Sequence, residues 1–312
     1  MRVVFMGTPD FAVGTLEAII KAGHEVVAVI TQPDKPKGRG KAVQYTPVKE
    51  KALEYDLPVY QPVKVREESF VKELEAMKPE VIVVVAFGQI LSKEILDMPK
   101  YGCVNVHASL LPKYRGSAPI QWAVIDGEKE SGVTTMLMNE GIDTGDMLKT
   151  TVISLDEKET GGSLFDKLAI AGADLLVETL VELENGTVTR TPQEEEKATH
   201  AKMLNKTMGL IDFTKSAVEI ERLIRGLNPW PSAYTGLDGK TLKIWGADVV
   251  EKEADGEPGE IVEVGKNHVY VKTGKGLLEL KEIQLEGKKR MEMEAFLRGY
   301  SLEKGAILRK EN

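Results

Sequence analysis

The chain has 312 residues, enough for two domains, and its 42% hydrophobic and 29% charged residues suit a protein with well-formed cores. Its longest apolar run, residues 81–87, is far shorter than the roughly 20 residues of a membrane-spanning helix, which excludes a spanning protein. A single cysteine excludes a disulfide framework and a cysteine-based zinc site, and a net charge of −8 excludes nucleic-acid binding by bulk charge but not by a local basic patch.

The first part of the chain alternates strand patterns with helix patterns. Strands are predicted at residues 2–6, 24–31, 57–61, 81–86, 103–107, 133–138 and 147–153, and helices at 47–55, 69–77 and 163–183. A further helix is predicted after the first strand, with Thr8 as its cap and Pro9 at its first position. The helix at 47–55 begins with the same signal, with Thr46 as its cap and Pro47 at its first position. Strands joined by crossover helices predict a doubly wound, mostly parallel Rossmann-like sheet. The last two strands are too close in sequence for a helix between them, so we expect a mixed edge.

The second part of the chain has a different composition. Residues 190–207 are polar and contain Pro192, as expected of a linker, and we expect the acidic run Glu194–Glu196 to be solvated. A helix follows at 216–227, and short strands at 241–250, 259–264, 268–273 and 276–283 predict a small OB-like β-barrel. Trp230 and Trp245 could stack on nucleic-acid bases, but we favour packing in the core of the barrel. We therefore predict a catalytic domain at 1–189, a linker at 190–207 and a barrel domain at 208–312.

The first strand-to-helix turn argues against a nicotinamide dehydrogenase. A dinucleotide site needs three spaced glycines beside a helix N-terminus, whereas this turn has only Gly7. Pro9 removes a backbone donor, and Asp10 places negative charge where phosphates would lie. No nicotinamide cofactor is expected, and the four histidines of the chain do not suggest a metal site.

Residues 105–116 are the richest candidate site. They follow a predicted strand, and ligands bind at the carboxyl ends of strands in such sheets. Asn105 and His107 are two residues apart, so their side chains leave the strand on one face, and an amide beside an imidazole suits a carbonyl oxygen that becomes negative. The alternative is an Asn in a turn and a His in the core. Because Ser109 and Arg115 lie within the same twelve residues, we favour a site.

A second loop, residues 139–146, contains two glycines and spare carboxylates. Its spacing does not fit a calcium loop, and Asp146 is most simply part of a turn. Asp143 has a further use if it faces Asn105 and His107. It could then orient and charge the imidazole, or take a proton from an attacking amine. Whether it faces them is left open by the sequence.

Together these residues resemble a known family. The motif Asn-x-His-x-Ser-Leu-Leu-Pro at 105–112, followed by Asp143 in an Asp-Thr-Gly-Asp loop, resembles the 10-formyltetrahydrofolate-dependent formyltransferases. Further similar stretches at 5–11, 31–40 and 228–231, with the β-rich tail, extend the resemblance over essentially the full length. It points to the branch that formylates the α-amino group of the methionyl-tRNA that initiates translation.

The resemblance implies a role for each group of residues. Asn105, His107 and Asp143 would be the catalytic trio, stabilising the oxyanion formed when the amine attacks the formyl carbon. Ser109, Leu110, Leu111 and Pro112 would line the folate site, and the turn formed by Phe87, Gly88 and Gln89 would offer backbone groups to the pterin. The co-substrate would be 10-formyltetrahydrofolate.

The basic loop at 34–41 is the candidate tRNA contact. It carries Lys35, Lys37, Arg39 and Lys41, and Arg and Lys are the usual partners of nucleic-acid phosphates. Its alternative is a solvated loop. Three other functions stay open: a formyltransferase acting on a small amine, a formyl-folate hydrolase using water, and a non-catalytic RNA-binding protein. We expect a cytoplasmic monomer without a membrane partner.

Overall fold

The computed structural model describes residues 1–37 and 42–309. The strands of the first part are β1 (Arg2–Gly7), β2 (Glu25–Ile30), β3 (Lys35–Lys37), β4 (Ala42–Gln44), β5 (Val59–Tyr60), β6 (Val81–Val85), β7 (Cys103–His107), β8 (Arg115–Gly116), β9 (Glu130–Leu137), β10 (Met147–Ser154) and β11 (His200–Ala201). Those of the second part are β12 (Ala233–Leu237), β13 (Lys240–Val250), β14 (Ile261–Val264), β15 (Val269–Lys272), β16 (Leu277–Leu285) and β17 (Met291–Glu292). The α-helices are α1 (Asp10–Lys21), α2 (Pro47–Glu54), α3 (Glu68–Ala76), α4 (Lys93–Asp97), α5 (Pro119–Ile125), α6 (Gly161–Asn185), α7 (Ala217–Gly226) and α8 (Met293–Gly299).

A seven-stranded sheet with the order β10-β9-β7-β6-β1-β2-β5 forms the centre of the first part. The five strands from β7 to β5 are parallel, whereas β9 runs antiparallel to β7 and β10 antiparallel to β9. The predicted Rossmann-like fold with a mixed edge is confirmed. Every residue of β6 is buried, as a strand covered on both faces requires.

The strand order reverses between β1 and β6. From β1 the chain builds the sheet outward to β2 and β5, and it then returns to place β6 on the other side of β1. Ligands of open α/β sheets bind in the crevice at the carboxyl ends of the strands at such a point. Thr8 follows β1 and Phe87 follows β6, so the turns carrying them lie at this crevice.

The two predicted threonine caps have different outcomes. Thr46 caps α2 as predicted, because its hydroxyl accepts from the Lys49 amide at 3.1 Å. The predicted cap of α1 is wrong: the N-cap is Pro9, which offers no side-chain acceptor. The hydroxyl of Thr8 instead donates to the carbonyl of Phe87 at 3.0 Å, which ties the ends of β1 and β6 together.

The chain folds into two compact units. Unit 1 comprises Met1–Pro119, Glu130–Ser154 and Phe165–Ala201, and unit 2 comprises Ile120–Lys129, Leu155–Leu164 and Lys202–Asn312. Two short segments that precede residue 165 thus belong to unit 2. Within it the backbones of Gly161 and Gly226 approach so closely that a Cβ on Gly161 would lie 2.4 Å from the Gly226 carbonyl oxygen. The domain limits predicted along the sequence stay a prediction.

Unit 2 is built on an antiparallel sheet with the order β12-β13-β16-β15-β14, to which β17 adds beside β16. Its core joins buried residues of these strands to Ile220 and Ile224 of α7 and Phe296 of α8. The predicted domain of short antiparallel strands is confirmed. The predicted core positions of the tryptophans are wrong: Trp230 is 54% exposed, and Trp245 is only half-buried.

Within the described residues, no helix combines the length and the hydropathy needed to cross a membrane.

Candidate active site

The candidate site is built on β7, whose last residues carry Asn105 and His107. Strand β7 lies between the parallel strand β6 and the antiparallel strand β9, which fixes its position in the middle of the sheet. Asn105 pairs with Val84 of β6 and Met136 of β9 in register. The alternation of the strand places both side chains on one face, as predicted.

His107 is buried, and its ring is held on two sides. Its Nε2 lies 2.8 Å from the Tyr114 carbonyl oxygen, which can only accept, so Nε2 carries a proton. Its Nδ1 lies 3.7 Å from Oδ1 of Asp143. Nδ1 is therefore the ring nitrogen that can gain and lose a proton, and it faces a carboxylate.

Asp143 reaches this position from the loop between β9 and β10. Its Oδ2 accepts a hydrogen bond from the Gly116 amide at 2.7 Å, which leaves Oδ1 facing His107. The residue adopts a φ of 55°, a left-handed backbone conformation that is uncommon for residues other than glycine. Two residues later the loop passes so close to β9 that a Cβ on Gly145 would lie 1.8 Å from the Leu137 carbonyl oxygen. The loop is thus held in a strained and closely packed form.

Asn105 has one buried polar atom without a partner. Its Nδ2 donates to the Val84 carbonyl at 3.1 Å, which accounts for one of its two N–H bonds. Its Oδ1 is buried and has no hydrogen-bond partner among the described residues. A buried acceptor left in this state costs about 1–3 kcal/mol. The amide therefore has an acceptor and a donor to offer to a ligand.

The segment predicted to line the folate site is anchored on β9. The hydroxyl of Thr134 donates to the Ser109 carbonyl at 2.7 Å and accepts from the Leu111 amide at 3.2 Å. The side chain of Ser109 is buried and donates to the Lys113 carbonyl at 2.6 Å. Leu111 is also buried, whereas Leu110 and Pro112 are half-buried. Leu110 and Pro112 are thus the more accessible pair of the four.

The turn after β6 lies at the crevice described above. The carbonyl of Phe87 accepts from Thr8 and, at 3.2 Å, from the Gln32 side chain. The side chain of Gln89 accepts from the Val65 amide at 2.7 Å and donates to the Pro62 carbonyl at 3.1 Å. These bonds fix the turn from within the protein. Gly88 lies between the two fixed residues.

The predicted tRNA contacts are described only in part. Lys35 lies in β3, which pairs with β4, and its side chain is exposed. The backbone of Lys37 belongs to the same strand. Arg39 and Lys41 lie outside the described residues.

The segment at 191–201 contacts the candidate site through Gln193 and Glu195, while Glu194–Glu196 are exposed to solvent, as predicted. Arg115, which is 2% exposed, donates to both carboxylate oxygens of Glu195 at 3.0 and 2.9 Å. These hydrogen bonds lower the pKa of Glu195. The Nε of Arg115 donates to Gln193 at 3.0 Å. Arg115 therefore serves this internal network.

Other chemistry in the described residues is limited. Cys103 of β7 is buried, and its burial raises the pKa of the thiol to about 12. Within residues 1–37 and 42–309, no three His, Cys, Asp or Glu side chains are grouped so that they could hold a metal ion.

Comparison with known proteins identifies two matching families. The family described as formyl transferase matches residues 1–180, and the one described as formyl transferase, C-terminal domain, matches residues 203–301. A methionyl-tRNA formyltransferase of Agathobacter rectalis is 64% identical over 98% of this chain and 99% of its own length. One of Clostridioides difficile is 51% identical over 99% of this chain and 100% of its own length.

Solved structures with a similar fold are more distant in sequence. An N-formyltransferase from Helicobacter canadensis, in complex with folinic acid and dTDP-3-aminofucose, matches with a TM-score of 0.67 and 20% identity over 89% of this chain and 97% of that chain. HypX from Aquifex aeolicus in complex with tetrahydrofolic acid matches with a TM-score of 0.60 and 18% identity over 96% of this chain and 47% of that chain. These likenesses concern the fold alone.

Proposed function

Because this chain belongs to the formyl transferase family, we propose that it transfers a formyl group from 10-formyltetrahydrofolate to the α-amino group of methionyl-tRNA. The relatives that carry this name match it from end to end, including the C-terminal domain. The observation that carries the proposal is the meeting of Asn105, His107 and Asp143 at the carboxyl end of β7, with the His107 and Asp143 side chains 3.7 Å apart.

The folate co-substrate would supply the formyl carbon, carried on N10. Two features of the crevice fit such a ligand. The buried Asn105 oxygen lacks a partner among the described residues, and the turn at Gly88 and Gln89 lies where the strand order reverses. Leu110 and Pro112 would add apolar contacts, while Ser109 and Leu111 would shape the segment from within. These assignments rest on the chemistry of the residues and on the family.

His107 would stabilise negative charge, and Asp143 would accept a proton. With Nε2 bonded to Tyr114, a second ring proton would lie on Nδ1, beside the carboxylate of Asp143. The positive ring would stabilise the negative charge that develops on the formyl oxygen. Oδ1 of Asp143 would accept the proton that the attacking amine loses. Collapse of the tetrahedral intermediate would then break the bond between the formyl carbon and N10, and N10 would take up a proton and leave as part of tetrahydrofolate.

Asn105 would contact both reacting groups. Its second N–H would donate to the formyl oxygen, and its Oδ1 would accept from an N–H of the attacking amine. Positioning a nucleophile against its target in this way can supply several kcal/mol of catalysis, on the order of 7–11 in favourable cases. The strand that carries the side chain is buried and paired on both sides, so the amide is held rigidly.

Unit 2 offers a surface for the tRNA, which we call the Trp245 face and define as Lys243, Trp245, Gln284, Lys288 and Arg290. The guanidinium of Arg290 lies 4.5 Å from the centre of the Trp245 ring, and the Lys243 ammonium lies 5.5 Å from it. Half-buried aromatic rings flanked by cations are typical of surfaces that bind RNA bases and phosphates. The basic loop that contains Lys35 and Arg39 would contact the acceptor end.

The test is a competition between acceptors for formyl-labelled 10-formyltetrahydrofolate. The enzyme is offered charged initiator tRNA, elongator methionyl-tRNA, small primary amines and water in one reaction. We expect the label on initiator methionyl-tRNA, with little on the others. Label found only on a small amine or in formate would show that the acceptor assignment is wrong, and absence of any transfer would refute the activity itself.

A further inference from the structure

The segment from Thr191 to Ala201, which we call the strap, binds both loops of the candidate site. On the first loop, the Thr199 hydroxyl accepts from the Tyr114 amide at 2.8 Å, and β11 at the end of the strap pairs in parallel with β8. Directly after the second loop, Thr191 exchanges two backbone hydrogen bonds of 2.9 Å with Met147, the first residue of β10. The strap therefore bridges two loops that come from distant parts of the sequence.

Gln193 is the side chain at the centre of this bridge. Its Nε2 donates to the carbonyl oxygens of Asp143 and Gly145, both at 2.8 Å, and so uses both of its N–H bonds on the second loop. Its Oε1 accepts from Nε of Arg115 on the first loop at 3.0 Å. Arg115 is in turn fixed by its two bonds to Glu195. A single amide thus joins Asp143 to the loop that carries the partners of His107.

Asp143 needs such support because of its own backbone. Its φ of 55° is unfavourable for a residue with a Cβ, and conformations of this kind persist only where the surroundings hold them. The bond from Gly116 fixes its carboxylate, whereas the bond from Gln193 fixes its carbonyl. Both bonds act on the residue whose Oδ1 lies 3.7 Å from the ring of His107.

We infer that Gln193 is a positioning residue, which holds the Asp143 carboxylate against His107 by clamping the backbone carbonyls of Asp143 and Gly145. This inference rests on the proposed function of Asp143 and His107. Misplacing a catalytic group by about 1 Å can cost on the order of 100-fold in rate, so the Gln193→Leu variant should lose about 10- to 100-fold in kcat. The KM for the folate should change far less, because the Gln193 side chain contacts only protein groups in the bonds described.

Two variants and a matched control separate positioning from general damage. Gln193→Leu removes all three bonds, and Gln193→Glu keeps an acceptor for Arg115 but removes the donors to Asp143 and Gly145. The control is Glu194→Gln, because Glu194 lies in the strap but pairs with Lys197. Both Gln193 variants should lose kcat, and the control should keep it. If Gln193→Leu does not fold, Gln193→Glu alone carries the test.

The closing experiment combines kcat measurements during turnover with NMR spectra of the substrate-free protein. In the Asp143→Asn background, Gln193→Leu should cause little further loss of kcat, and a full additional loss would overturn the inference. In the substrate-free protein, the ring ¹³C and ¹⁵N NMR signals of His107 should shift in both Gln193 variants, while those of His24 and His268 stay in place. Unchanged His107 signals would also overturn it. If the wild-type protein transfers no formyl group, the proposed function fails, and the NMR comparison still decides the role of Gln193.

Discussion

At the scale of single residues, the site depends on what each carboxylate oxygen of Asp143 contacts. One carboxylate oxygen is bound by the Gly116 amide, and the other faces Nδ1 of His107. The hydrogen bond from the Gly116 amide holds the loop and requires only an acceptor oxygen on residue 143. The contact with His107 depends on the negative charge of the carboxylate. These two roles can be separated by a substitution that keeps the shape of the side chain.

Asp143→Asn should lower kcat for formyl transfer by about 10²–10⁴-fold, the range typical of a lost acid–base group. The amide oxygen can still accept from Gly116, so the loop should keep its form, but the negative charge beside His107 and the proton acceptor for the amine are gone. Steady-state kinetics with methionyl-tRNA measure kcat, and a binding titration with the folate should show unchanged affinity.

Asp146→Asn is the matched control for this substitution. Asp146 lies in the same loop, and the contact it makes to β9 uses its backbone carbonyl, which accepts from the Leu137 amide and is kept in the variant. Its turnover should match that of the wild type. Near-normal turnover of Asp143→Asn would remove the charge of Asp143 from the mechanism.

At the scale of secondary-structure elements, helix caps show what the sequence can and cannot predict. A cap is a local motif, and Thr46 and Ser216 cap their helices where the sequence predicts helix starts. Thr8 satisfies the same local rule, but its hydroxyl bonds to Phe87, which is distant in sequence and adjacent in space. A local pattern therefore identifies a residue able to cap a helix, but whether its hydroxyl does so depends on tertiary contacts that the pattern does not contain.

The same distinction explains which parts of the site were predictable. Asn105 and His107 share a strand, so their common face follows from the period of that strand. The place of Asp143 beside His107 depends on loop geometry that the sequence leaves open, and its family resemblance was the only guide. Gln193 was missed because its three bonds are all long-range, and the polar composition around it is equally typical of a linker.

Two serines at helix starts offer a direct test of capping strength. Ser216 forms a capping box with Glu219 at the start of α7, so Ser216→Ala should lower the free energy of unfolding by about 0.5–2 kcal/mol. Ser92 occupies the same position at the start of α4, but its hydroxyl is buried and has no hydrogen-bond partner among the described residues. Ser92→Ala should therefore cost much less. Urea unfolding of the two variants measures both values, and equal losses would contradict the assignment.

At the scale of the whole molecule, the protein must bind a polyanion despite its net charge of −8. Overall repulsion grows at low salt, whereas contacts between a basic patch and phosphates are strongest there. Affinity for tRNA must therefore come from a few local cations. The Trp245 face is one such place, although Arg290 also pairs with the carboxylate of Glu282.

Arg290→Gln should weaken binding of methionyl-tRNA and change its salt dependence. If Arg290 contacts one phosphate, the slope of log Kd against log salt should fall in magnitude by about one, since each neutralised phosphate releases close to one counterion. The Kd is measured by filter binding or fluorescence anisotropy at several salt concentrations between about 50 and 200 mM. These values give both the affinity for methionyl-tRNA and the slope of log Kd against log salt. The control is Lys72→Gln on α3, which removes an equal charge from an exposed ion pair with Glu68 and should leave the slope as it is. An equal slope for wild type and Arg290→Gln would place the tRNA elsewhere on the protein.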